Sequence, residues 1–336
     1  MNKKSLAFLL VLVLMVALAA AGCSSKPSEV KKEEPKYPTK QVDLIVTFAP
    51  GGGNDLVGRA IGEYLTKEWG QPVNVINKPG GGGAIGVQEA LKKSKPDGYT
   101  ALVAGVTNSS ALLAGNKGLP FTMDDFKWVS KTVEDPLAIL VKADAPWKDL
   151  KEFAEWAKNN SDQLSYGTPG PSGIATYATA EFLDAIGADF SKARMITTTG
   201  GADTLPKVAG GHITMCFLSV SEASSMVKAG KVRFLAVTSP KRSQFFPDVP
   251  TAEEMGVKNL GVKWWLGIAM PAGTPDSIVK KWDDAIAKMS KAPAFLAKLK
   301  TFNAESSYMN SADVNKLAKE EGVKLSTMAE KKGLRK

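Results

Sequence analysis

The chain has 336 residues, a formal charge of +9, two cysteines and one histidine. This length exceeds what one small core needs and suits two domains. A single histidine, His212, excludes a histidine-rich metal site, and basic residues that never form a run interleaved with aromatics leave no footprint for nucleic acid.

Lys3 and Lys4 precede an uncharged stretch from Ser5 to Gly22 that ends Ala20, Ala21, Gly22, Cys23. A short apolar run closed by small residues is a targeting pattern. It resembles a bacterial lipoprotein signal, which implies removal of residues 1–22 and lipidation of Cys23. Ala20 departs from the larger aliphatic residue of the commonest boxes. A retained transmembrane helix is the weaker reading, because so short a stretch barely spans a bilayer. From Ser24 to Lys36 the chain is Ser, Lys, Glu and Pro with one valine. Segment 23–36 therefore reads as a lipidated tether with an r.m.s. reach of roughly 20 Å. Removal of the first 22 residues leaves 314 and lowers the charge to +7. Only Cys216 then remains besides Cys23, so no internal disulfide is expected. Cys216 lies in the apolar run Ile213 to Leu218 and reads as core.

The first folded elements carry the strongest signal. An apolar run, Val42 to Phe48, leads through Pro50, Gly51, Gly52, Gly53, Asn54 and Asp55 into a helix-like run ending at Trp69. Bare glycines at a strand-to-helix turn leave the first helical N–H groups unshielded at the positive end of the dipole, a place for a carboxylate or phosphate. The plainer alternative is a turn in which Asn54 or Asp55 caps the helix. Asp55 can also pair with Arg59 one turn on.

Beyond this loop, strands and helices alternate. Strands are predicted at Pro72–Ile76, Thr100–Val106, Leu164–Tyr166, Arg194–Thr197, Ile213–Leu218, Val232–Thr238 and Val262–Met270. Helices are predicted at Ala84–Lys93, Asp149–Lys158, Ala175–Ile186, Thr204–Ala209 and Pro275–Met289. The alternation predicts an α/β fold with largely parallel sheets, whose ligands sit beyond the carboxyl ends of strands. Four such loops are rich in glycine and small polar residues: Pro50–Asp55, Thr107–Ser110, Gly167–Gly173 and Thr197–Asp203. Two lie early and two in the middle, so they can face each other across a cleft.

A series of short motifs follows in order: Tyr37-Pro-Thr-Lys40, Phe48-Ala-Pro-Gly-Gly-Gly-Asn-Asp55, Asn77-Lys-Pro-Gly80, Lys95-Pro-Asp-Gly-Tyr-Thr100 and Tyr166-Gly-Thr-Pro-Gly170. It continues with Gly210-Gly-His212, Leu235-Ala-Val-Thr238, Pro247-Asp-Val-Pro-Thr251 and Pro271-Ala-Gly-Thr-Pro275. Together they resemble the substrate-binding proteins of tripartite tricarboxylate transporters, the Bug family, over nearly all of the chain after the tether. The resemblance implies a type II periplasmic-binding-protein fold: two α/β domains, each a mostly parallel sheet flanked by helices, joined by two crossing strands. It implies an extracytoplasmic, membrane-anchored, monomeric receptor that closes on a small organic carboxylate, a di- or tricarboxylate first, and hands it to membrane permease subunits without a cofactor. Carried over residue by residue, the ligand set is Phe48, Ala49, Gly52, Gly53, Asn54 and Asp55 facing Thr168, Pro169, Gly170, Ser172 and Gly173. Thr107, Asn108, Thr176, Thr198, Gly200 and Ser219 complete the wall.

The chain departs from the family pattern at three places. Thr176 stands where many members have histidine, Thr197-Thr-Thr-Gly200 replaces Pro-Tyr-Lys/Arg-Gly, and Phe217-Leu-Ser219 replaces an acidic position. These leave the identity of the carboxylate open among a dicarboxylate, a tricarboxylate such as citrate, and an aromatic or nitrogenous acid. Domain limits are placed at 37–139 plus 267–336 and 140–266. Trp264 and Trp265 fall on the returning crossover, either in the core or beside the cleft.

Two alternatives from other classes remain. Gly81, Gly83 and Gly86 form G-x-G-x-x-G between a strand and a helix, the pattern of a dinucleotide-binding enzyme. However, the next strand ends Val106, Thr107, Asn108 with no acidic ribose partner. A surface or sensory lipoprotein without transport is the other alternative.

Overall fold

The structure, a computed structural model, describes residues 36–335. Residues 1–22, the lipidation candidate Cys23 and the tether up to Pro35 lie outside the described residues.

The chain from Pro38 onward builds two sheets. Val42, Leu44 and Val46 are fully buried in β1 (Val42–Val46), which lies between its parallel neighbours β2 (Val73–Asn77) and β3 (Thr100–Gly105). Such a strand is apolar on both faces because helices cover both sides of a parallel sheet. Three helices follow these strands: α1 (Gly53–Trp69), α2 (Ala84–Gln88) and α3 (Ser110–Gly115). The long strand β4 (Phe126–Asp135) then adds antiparallel to β10 (Trp264–Pro271) and to β11 (Ser306–Met309), giving the sheet order β11-β4-β10-β3-β1-β2.

Pro136 alone separates β4 from β5 (Leu137–Lys142), which belongs to the second sheet. A residue with no N–H cannot continue a ladder, so the change of sheet falls on it. Its carbonyl accepts from Val220 N at 3.0 Å. After α4 (Leu150–Asn159) come β6 (Ser165–Thr168), α5 (Ile174–Ala185), β7 (Arg194–Thr197), α6 (Gly201–Ala209), β8 (Met215–Ser219), α7 (Val220–Lys228) and β9 (Val232–Val237). Their order in the sheet is β7-β6-β8-β5-β9. The chain then returns to the first sheet at β10. It ends with α8 (Asp276–Met289), α9 (Pro293–Lys300), β11 (Ser306–Met309) and α10 (Ser311–Lys331).

The sheets are mixed where the alternation predicts largely parallel ones. Parallel pairing holds for β1 with β2 and β3, and for β6 with β7 and β8. Strands β10 and β5, which adjoin the two crossings, pair antiparallel on both sides. Each sheet has its own aromatic core. Trp128 meets Trp265 at 5.2 Å in the first, and Phe182 meets Phe153 at 5.9 Å and Phe217 at 6.1 Å in the second.

Candidate functional site

Helices α1, α5 and α6 start immediately after short loops leaving β1, β6 and β7, and all three have glycine at the N-cap: Gly52, Gly173 and Gly200. None receives a side-chain cap from that residue, so their first N–H groups need partners from elsewhere. The three starts open on one cleft between the sheets, with about 650 Å³ of space free of atoms, part of it open to solvent. One wall is Phe48, Ala49, Gly52, Gly53, Asn54 and Thr107. The other is Gly167, Pro169, Ile174, Ala175, residues 199–204, Phe217, Leu218, Ser219 and Glu222. Leu137 and Trp264, flanking the two crossings, close it.

The cavity contains acidic side chains and no Lys, Arg or His. Glu222 Oε1 accepts from Gly53 N at 3.0 Å, and the same carboxylate accepts from Gly201 N. One half-buried carboxylate on α7 thus caps α1 and α6 together. Burial pushes its carboxyl above the usual range, against the lowering effect of the two N–H bonds. The glycines fit this arrangement: a Cβ on Gly201 would lie 2.3 Å from the Glu222 carboxylate, and one on Gly53 would lie 3.2 Å from the Trp264 ring. Asn54 is 6% exposed, and its Nδ2 has no hydrogen-bond partner. A buried amide donor without a partner is costly, which marks it for a bound group.

The expected ligand residues divide into two groups. Phe48, Ala49, Gly52, Gly53, Asn54, Thr107, Pro169, Gly200 and Ser219 line the cavity. The others sit behind it, each already bonded or packed. Asp55 lies beneath the first loop, taking Gly51 N and Arg59 Nε at 2.9 Å and Asn77 Nδ2 at 3.0 Å. Asn108 donates to Val103 O and Thr47 Oγ1 and accepts from Gly105 N. The Thr176 hydroxyl stands 2.8 Å from Gly170 O and 3.0 Å from Thr168 Oγ1, and Gly173 N donates to Gly170 O, so the second loop is tied largely to itself. Thr198 N donates to Thr168 O, and its hydroxyl meets that of Thr204 at 2.8 Å. Ser172 faces the first wall outside the cavity, where a Cβ on Gly115 would come within 2.6 Å of it.

Glu222, Leu137, Ile174, Ala175 and Thr204 line the cavity without having been singled out in the sequence, whereas Gly167, Thr199 and residues 201–203 lie in two of the glycine-rich loops and Phe217 and Leu218 in the segment that departs from the family pattern. Glu222 had a signal. Ser219 and Glu222 have the S-x-x-E spacing of a capping box, and the Ser219 hydroxyl accepts from Glu222 N at 3.4 Å. Trp264 and Trp265 separate cleanly: Trp264 lines the cavity, whereas Trp265 is in the core and donates to Glu321 at 2.7 Å. Two glycines of the dinucleotide pattern serve close packing: Cβ atoms on Gly83 and Gly86 would meet Thr47 at 3.3 and 2.9 Å, while Gly81 takes a φ of +59°.

Residues 57–334 match the family model described as tripartite tricarboxylate transporter family receptor. The chain belongs to this receptor family. The receptor is 30% identical over 327 residues to the UPF0065 protein in the gbd 5' region of Cupriavidus necator, with 95% of each chain covered. It superposes on the solved structure of a periplasmic transporter at TM-score 0.82 and 32% identity, over 89% of this chain and 99% of that one. MatC from Rhodopseudomonas palustris with bound malate follows at TM-score 0.79 and 26% identity, over 87% and 99%. The fold is that of periplasmic binding proteins, and the receptor is an extracytoplasmic solute-binding protein of a tripartite tricarboxylate transporter. The family and these neighbours are solute-binding proteins rather than enzymes.

Proposed function

We propose that the cavity binds one small organic carboxylate between the two sheets and that the receptor delivers it to the membrane permease subunits of its transporter. The observation that carries this reading is a cavity with no basic side chain on which the start of α5, with no side-chain cap from Gly173, and the unpartnered amide of Asn54 converge, beside the starts of α1 and α6 that Glu222 bridges. Backbone N–H groups at helix starts hold carboxylates without a cation, at about 1.5 to 3 kcal/mol for each charge-assisted bond. Malate in MatC supports the ligand class. In this reading Phe48, Ala49, Gly52, Gly53, Asn54, Thr107, Pro169, Gly200 and Ser219 meet the ligand. Asp55, Asn108, Thr168, Gly170, Ser172, Gly173, Thr176 and Thr198 hold the loops in shape.

The lobes of this clamp are residues 38–135 plus 264–335 and residues 137–237, with Pro136 and the segment 238–263 as its two crossings. Closure then brings the start of α1 toward the starts of α5 and α6, so a ligand held by both favours the closed form. We further infer that Cys23 is lipidated and that the receptor works without catalysis, as a monomer beside its permease. A thermal-shift screen of the purified full-length protein against small organic acids tests the reading. A ligand at about a hundred times its Kd adds about 2.7 kcal/mol to stability. A rise in Tm with a carboxylate and none with dinucleotides is expected; the reverse result overturns it.

A further inference from the structure

Two lining residues of the cavity carry charge, and they are in different situations. Asp203 takes Lys207 Nζ at 2.8 Å and Thr199 N at 3.0 Å. Glu222 has backbone N–H partners alone, from Gly53 and Gly201. The Cys216 thiol on β8 feels its charge and Asp203 on α6 lines the same cavity, and neither supplies positive charge.

We propose that Glu222 determines specificity and that the ligand is a carboxylate which also carries a positively charged nitrogen, of the amino-acid or betaine class. This rests on the carboxylate-receptor reading and narrows it. Glu222 already occupies the anion position shared by the starts of α1 and α6. A second carboxylate arriving there meets a like charge in a sheltered place, where repulsion is poorly screened. A cationic nitrogen arriving there supplies the counter-charge that the protein omits. The ligand's own carboxylate has a separate place. Asn54 Nδ2 is a buried donor with no partner, on the same wall as Gly53, and the first turn of α5, Ile174 and Ala175, lines the opposite wall. Phe48, Phe217 and Trp264 provide aromatic surface in the same cavity, which favours the cation further.

The elevated proton affinity of the Glu222 carboxyl agrees with a group awaiting a cation. It is equally compatible with a protonated Glu222 that tolerates a diacid, and the neutral, isosteric Glu222→Gln distinguishes the two. Isothermal titration of the full-length protein at pH 7.5 would use aspartate, 4-aminobutanoate and glycine betaine as probes with a cationic nitrogen, against succinate (aspartate without its ammonium), glutarate (a second carboxylate in place of the ammonium of 4-aminobutanoate) and butylamine (no carboxylate). At least one zwitterion is expected to bind about tenfold or more tighter than its matched diacid, and butylamine not at all. Glu222→Gln is expected to weaken the zwitterion about tenfold or more without weakening the diacids, and a cooperative unliganded melting transition, lowered by the loss of one acceptor for the helix N–H groups, shows that the variant is folded. A parent protein that prefers diacids, or a preference that Glu222→Gln does not move, overturns the assignment and leaves the carboxylate receptor standing. If no probe bearing a carboxylate binds, the receptor reading falls and this assignment with it.

Discussion

Two carboxylates lie at the start of α1, and their surroundings are opposite. Asp55, 2% exposed, is enclosed by a guanidinium, an amide and a backbone N–H, with Arg59 Nη2 and Nε each 2.9 Å from one of its oxygens. Burial alone would raise its pKa, yet these bonds outweigh burial and hold it below the usual carboxylate value. Glu222 reaches the same helix start from the opposite sheet, finds N–H groups and no cation, and is raised instead. A saturated carboxylate belongs to the framework, and an unsaturated one beside a cavity belongs to the ligand. Residue type and proximity to the glycine loop do not separate the two; the partners do.

The comparison breaks most visibly at Asp55. Asp55→Ala leaves Gly51 N without its acceptor, takes from Asn77 Nδ2 one of two acceptors while Phe48 O remains at 2.9 Å, and removes a bidentate ion pair, so it is expected to lower stability by about 2 to 3 kcal/mol. A fall in Tm of several degrees in calorimetry checks this, and an unchanged Tm would mean that the network is ornamental. A pH series sharpens it. Asp55, with its lowered pKa, stabilises the fold above pH 3.8, and that contribution disappears as pH falls through its folded value. Asp135, buried behind the cavity and bonded to Ser221 N at 2.8 Å, is pushed up to about 7 by burial against the Ser221 hydrogen bonds. Its contribution is complete below pH 3.8 and is lost as pH rises through about 7. Asp135→Asn is therefore expected to flatten the decline in Tm between pH 4 and 8 without altering the acid limb. The smallest effect is optical. Trp264 lines the cavity and Trp265 does not, so Trp264→Phe is expected to abolish ligand-induced fluorescence change, while Trp265→Phe preserves it.

The alternation of apolar strands with glycine loops made the α/β fold legible. The loop from Phe48 to Asn54 was legible as a candidate site because bare glycines stand at its strand-to-helix turn, although Asn54 also offered a helix cap. The second glycine loop was less informative. Thr168, Gly170, Gly173 and Thr176 bond to one another, and glycine content cannot distinguish a loop that holds a ligand from one that holds itself. Strands β4 and β5 went unpredicted, since Phe126–Lys142 mixes charged and apolar residues without a glycine loop to punctuate it. Helix α7 was missed because Val-Ser-Glu-Ala-Ser-Ser has too few large apolar residues to show a period. With it went Glu222, whose partners Gly53 and Gly201 are distant in sequence and adjacent only in the folded chain.

One consequence of the Glu222 bridge concerns the medium outside the cell. Bare helix starts attract inorganic phosphate and sulfate as readily as organic acids. Here the N–H groups of Gly53 and Gly201 are already filled by an oxyanion that the chain itself supplies. A tethered occupant cannot be diluted away, and a mineral anion brings no positive charge to offset it. On the assignment proposed for Glu222, its ionised carboxylate disfavours mineral oxyanions at the starts of α1 and α6.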